Sequence, residues 1–97
     1  MTSQSIIAEI DAYMQKFRYQ NPAWYVGIAS DAVQRLFTDH AVDQQKGAWI
    51  YRHADTSTVA RAVEMAYHTA GCDGGPGGGD ADTVTVYAYL KTTTTDP

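Results

Sequence analysis

Apolar residues recur along this chain in two rhythms, and the switches between them divide it into six elements. Ile6, Ile7, Ile10, Tyr13, Met14 and Phe17 are spaced by one, three and four residues, the pattern of an amphipathic helix. That helix is expected to start near Ser3 to Ser5 and to be stopped by Asn21-Pro22, because the residue before a proline is pushed out of helical geometry. Trp24-Tyr25-Val26-Gly27-Ile28-Ala29 is rich in aromatic and β-branched residues and reads as a buried strand. Ser30-Asp31 supplies an N-cap and a first-turn carboxylate for a second helix, expected to bury Val33, Leu36 and Phe37.

A polar loop, Asp43-Gln44-Gln45-Lys46-Gly47, leads to a short strand, Ala48-Trp49-Ile50-Tyr51-Arg52. Asp55-Thr56-Ser57-Thr58 starts a third helix, which repeats Val59, Val63, Ala66, Tyr67 and Ala70 and ends at Gly71 as a left-handed C-cap. After the glycine-rich run 74–79, Thr83-Val84-Thr85-Val86-Tyr87-Ala88-Tyr89-Leu90-Lys91 alternates with the period of two that marks a strand. Tyr87 and Tyr89 therefore share one face of it, opposite Val84, Val86, Ala88 and Leu90. The element order is αβαβαβ. The expectation is one domain over residues 1–97 of mixed α/β (α+β) class, with a small three-stranded sheet covered by helices. Residues 1–22 form its N-terminal helix, 23–91 its core and 92–97 a frayed, flexible tail.

Composition supports this picture and adds one difficulty. With 97 residues, 44% hydrophobic and 11% aromatic, the chain can build one core and is too short for a second. No apolar run of about 18 residues occurs, and Met1-Thr2-Ser3-Gln4-Ser5 offers no basic or apolar leader, so no membrane association is expected. A single cysteine, Cys72, has no disulfide partner in the chain and fits a reducing, cytoplasmic setting. The net charge of −4 has the wrong sign for a protein that tracks phosphate backbones, and it favours a small acidic binding protein that docks on a protein partner.

Between residues 25 and 64 the residues nevertheless carry a family pattern. Tyr25-Val26-Gly27, then Arg35-Leu36 ten residues on, His40, the strand 48–52, and Ala60-Arg61-Ala62-Val63-Glu64 on the next helix together resemble the core of the GIY-YIG nuclease family. His40 comes one residue later than in the family's Arg-Leu-x-x-His segment. The family's Gly-Ile-Tyr strand is absent from its place before Tyr25, where this chain has a helix and Asn21-Pro22. Val86-Tyr87-Ala88-Tyr89-Leu90-Lys91-Thr92 is similar to that first strand, which implies a circular permutation with the strand displaced to the C-terminal side.

The resemblance implies metal-dependent cleavage of a nucleic acid, DNA or RNA. Glu64 would hold Mg²⁺ or Mn²⁺, Arg35 would grip the scissile phosphate, and Tyr25 and Tyr89 would flank the attacking water, with His40 as the alternative base. One carboxylate completed by waters and phosphate oxygens is a common Mg²⁺ arrangement, and a guanidinium can hold two phosphate oxygens at once. Each residue also has an ordinary reading. Tyr25 can be a core tyrosine, Arg35 can pair with Asp31 or Asp39, and Glu64 with Arg61 or His68 on its own helix. His40, His53 and His68 lack zinc-ligand spacing, and the glycine-rich run lacks the Gly-Lys-Ser/Thr of a phosphate-binding loop, so it reads as a flexible connection.

Overall fold

The computed structural model describes residues 1–75 and 79–97; the centre of the glycine-rich run, residues 76–78, lies outside them. Helix α1 (Ser3–Met14) is capped by Thr2, whose side-chain oxygen accepts from the Ser5 N–H at 3.2 Å. It ends well before Asn21-Pro22. The N–H groups of Lys16 and Phe17 bond three residues back, to Tyr13 and Met14, so the chain tightens and leaves the helix. Phe17 keeps its place in the apolar pattern from this turn, set edge-on against Tyr13 and Trp24. Asn21–Ala23 forms a single 3₁₀ turn into strand β1 (Trp24–Ala29).

Helix α2 (Ala32–Gln34) is capped by the Asp31 carboxylate and runs directly into a π turn, Arg35–Asp39, closed by the His40 N–H on the Arg35 carbonyl at 2.8 Å. The inward stripe here runs through Ala32 and Leu36, four residues apart. Leu36 is fully buried as expected, Ala32 joins it, and Val33, expected in the core, is 49% exposed. Strand β2 (Trp49–His53), helix α3 (Ser57–Thr69) and strand β3 (Thr85–Leu90) complete the chain's regular elements among the described residues.

The three strands form an antiparallel sheet in the order β1-β3-β2. The last strand is thus the central one, with Tyr25 opposite Tyr89, Gly27 opposite Tyr87, and Tyr87 in turn opposite Tyr51. Being central explains why β3 is buried on both faces although its sequence alternates. On one face α1 and α3 bury Ile6, Ile10, Val63 and Tyr67 against Val26, Val86 and Ala88. On the other, Leu36 and Val42 cover Tyr25, Tyr87 and Tyr89. The fold is a small α+β domain, and among the described residues no helix is long and apolar enough to cross a membrane.

The end of α3 and the end of the chain are both held by main-chain bonds. Gly71 ends α3 with φ +108°, and the Cys72 N–H reaches back to the Tyr67 carbonyl at 3.0 Å. A Cβ at Gly71 would meet nothing closer than 3.9 Å, so Gly71→Ala should lose about 1 kcal/mol from backbone strain alone. Urea unfolding checks this, and an unchanged midpoint would refute it. Residues 92–97, expected to fray, are instead pinned. Thr92 and Thr95 close a turn through their side chains, and the Asp96 N–H donates to the His40 carbonyl at 2.7 Å.

Candidate active site

Strand β1 is an edge strand, and its outer edge is only partly covered. Asp73 pairs with it in parallel, its N–H donating to the Trp24 carbonyl and its carbonyl accepting from Val26, at 2.8 and 2.9 Å. His68 adds a ring N–H to the Val26 carbonyl at 2.8 Å. Beyond Val26 this cover stops. There a cavity of about 370 Å³ opens, walled by β1 from Gly27 onward, by α2 and the π turn, by α3, and by the segments flanking the glycine-rich run.

Tyr25, Arg35, Glu64 and Tyr87 all line this cavity. They come from β1, the π turn, α3 and β3, so the site is assembled by the tertiary fold and not by any local segment. Gly27 explains how Tyr87 reaches it from the sheet centre. A Cβ on Gly27 would lie 2.5 Å from the Tyr87 hydroxyl and 2.6 Å from Cζ, so the ring crosses β1 only because residue 27 has no side chain.

His40 lies behind the tyrosines, 6% exposed. Its ring sits 4.6 Å from that of Tyr25, centroid to centroid, and its Nε2 is 2.8 Å from the Tyr87 hydroxyl. The π turn accounts for its placement. Relative to an Arg-Leu-x-x-His segment the histidine arrives one residue late, and an i→i+5 turn starting at Arg35 absorbs that extra residue.

Burial dominates the electrostatics, since Tyr25 and Tyr87 are only 9% and 1% exposed. Burial pushes the Tyr25 hydroxyl above its ordinary value, opposed by the Gly75 main chain and by Arg35. Burial, then the neighbouring Tyr25, pushes Tyr87 further up. Both tyrosines are therefore protonated near neutrality and act as hydrogen-bond partners, not as standing phenolates. Burial also raises the Glu64 carboxyl, with His68 and Arg61 pulling it back down. Among the described residues Arg35 pairs with Asp39, at 3.7 Å and with both side chains well exposed, a weak pair that leaves the guanidinium able to turn toward a ligand.

Four of the five expected site residues thus gather around one cavity, with Tyr25, Arg35 and Glu64 on its wall and His40 just behind it. Tyr89 does not reach it. It is 0% exposed, stacked 5.2 Å from Tyr25, with its hydroxyl 3.1 Å from His40 Nδ1. Tyr87, which the strand pattern alone places as a packing residue, lines the wall instead. The signal for this exchange is Gly27, since a glycine inside a buried strand marks a close approach by something across the sheet. No known family, curated protein or solved structure matches the chain.

Among the described residues no three His, Cys, Asp or Glu side chains form a ready-made metal centre. Glu64 presents a half-buried carboxylate on the cavity wall, and because burial raises its carboxyl, a hydrated divalent cation held there would have to displace its proton. The flanks of the glycine-rich run contribute Gly75, Gly79 and Thr83 to the wall, and Arg61 on α3 donates to the Gly79 carbonyl at 2.8 Å.

Proposed function

We propose that this protein cleaves phosphodiesters with a GIY-YIG-like site in a circularly permuted frame. The observation that carries the reading is the convergence of Tyr25, Tyr87, Arg35 and Glu64 on one cavity, with His40 bonded behind Tyr87. The permutation is supported by β3 lying antiparallel beside β1, where the displaced first strand would have to be. A cytoplasmic setting agrees with a buried, unpaired Cys72, whose thiol burial pushes up to about 11.

In this mechanism Arg35 binds the scissile phosphate through two of its oxygens. Glu64 would hold Mg²⁺ or Mn²⁺, which when bound supplies positive charge against the developing phosphoryl and leaving-group oxygens. A cation is supported by the charge balance of the wall, where among the described residues the Arg35 guanidinium faces the carboxylates of Asp31, Asp39 and Glu64. An anionic diester would otherwise be repelled. Tyr25 and Tyr87 orient a water in line with the leaving oxygen. Since neither is a standing phenolate, the water's proton passes to the Tyr87 oxygen as Tyr87 gives its own to His40 Nε2. The new P–O bond forms from the water oxygen, and the leaving oxygen departs with the electrons of the old one.

The test is nicking of labelled DNA and RNA, single- and double-stranded, with Mg²⁺ or Mn²⁺ and with chelator as control. Arg35→Ala should lower the rate at least about a hundredfold while leaving the fold intact. Equal rates for the two proteins would assign the activity to a contaminant. The net charge of −4 favours a second reading, a non-catalytic acidic binder of a protein partner, for instance an inhibitor or regulator of a nucleic-acid enzyme. Absence of cleavage under all these conditions would leave that reading in place of the enzyme.

A further inference from the structure

His40 has two ring nitrogens and three neighbours, and in the neutral ring only one arrangement of protons satisfies them. The Asp96 carbonyl lies 2.8 Å from Nδ1 and can only accept, so Nδ1 must carry the hydrogen. Tyr89, 3.1 Å from the same nitrogen, can share that hydrogen as a second acceptor. In the neutral ring Nε2 is then bare, and the Tyr87 hydroxyl, 2.8 Å away, must donate to it. With its hydrogen directed at His40, the Tyr87 oxygen has only lone pairs to turn toward the cavity. That is the orientation needed to accept a proton from water.

The Asp96 carbonyl does not reach His40 by accident of a loose chain. The Asp96 N–H donates to the His40 carbonyl at 2.7 Å, so one residue grips the histidine through both of its own main-chain groups. Upstream, the Thr92 N–H donates to Thr95 Oγ1 at 3.0 Å and the Thr95 hydroxyl donates to the Thr92 carbonyl at 3.1 Å, folding the segment back after β3. We infer that residues 92–97 form a main-chain clamp that fixes the His40 tautomer, with Asp96 as a positioning residue for the Tyr87–His40 proton path. The inference deepens the proposed function and rests on it for its catalytic consequence.

The clamp is tested on the full chain with ¹⁵N-labelled histidine. The wild type should show His40 protonated at Nδ1 and bare at Nε2 in its neutral form. Replacing both turn residues, Thr92→Gly with Thr95→Gly, touches only the segment after β3. It should mix the tautomers, lower the saturated cleavage rate about tenfold or more, leave KM nearly unchanged, and shift the acid limb of the pH–rate profile. Asp96→Ala retains both main-chain groups and should retain the Nδ1–H form.

A wild-type His40 protonated at Nε2, or a glycine variant with unaltered tautomer and pH profile, overturns the clamp. The two ideas fail separately. Cleavage by a wild type in the Nε2–H form sinks the clamp and spares the function, whereas a wild type that cleaves nothing in the Nδ1–H form sinks the function and supports the clamp.

Discussion

Glu64→Gln is expected to abolish activity while making the cation-free protein more stable at neutral pH. The activity loss, roughly a hundredfold or more, follows from the proposed role of Glu64 as a ligand of the divalent cation. The gain in stability comes from the sign of its pKa shift. Burial raises the folded-state value above the ordinary carboxylate one. A group that holds its proton more tightly when folded favours the fold below its unfolded pKa, and that contribution is lost as pH rises through the folded pKa. At neutral pH the ionised Glu64 is therefore a net cost, which the neutral glutamine removes. Thermal melts across pH should show the variant ahead of wild type at pH 7, with the difference closing as pH falls below the ordinary carboxylate range. Mg²⁺ or Mn²⁺ should raise the melting point of the wild type and leave that of Glu64→Gln unchanged. A variant less stable than wild type at pH 7 would show that Glu64 serves the fold, and full retained activity would remove it from the site.

Gly27→Ala is the second large effect, and here stability and activity should fall together. The added methyl collides with the Tyr87 hydroxyl and ring, which are held in place by His40 and by a fully packed sheet centre. Overpacking of this kind costs about 1–3 kcal/mol. Because the clash is with one side chain, its cost should largely disappear in a Tyr87→Ala background, giving a coupling of about 1 kcal/mol or more in a double-mutant cycle. Additive effects in that cycle would mean that the methyl strains the strand itself and that Tyr87 does not lie across Gly27. The cleavage rate of the single variant should drop as the hydroxyl leaves His40.

Much of this architecture is legible in the residues. Strand periodicity puts Tyr87 and Tyr89 on one face, the Gly71 cap stands where the helical pattern ends, and Tyr25, Arg35 and Glu64 are singled out by the family resemblance, each having an ordinary reading without it. What escapes depends on long-range pairing. Which of two equivalent tyrosines reaches the cavity is decided by its partner across the sheet, and Gly27 faces Tyr87 only because the register pairs them. The end of α1 is hidden because Phe17 obeys helical spacing while packing from a turn. Val33 escapes because the inward stripe of this turn runs through Ala32 and Leu36, and a small alanine carries little weight in a hydrophobic pattern. The anchoring of residues 92–97 uses main-chain atoms of Asp96, to which side-chain identity is almost silent.

The strand order has a consequence for how the molecule comes into being. β1 and β2 each pair with β3 and not with one another. On a chain made from its N-terminal end, helical turns can form early, but no strand finds its neighbour until residues 85–90 are available. The two tyrosines on the cavity wall are separated by the same wait, so a partly synthesised chain carries neither a closed sheet nor the complete cavity wall. Closing the long intervening stretch is an entropic task of the kind that slows folding. The step that completes the sheet is also the one that first brings Tyr87 across Gly27.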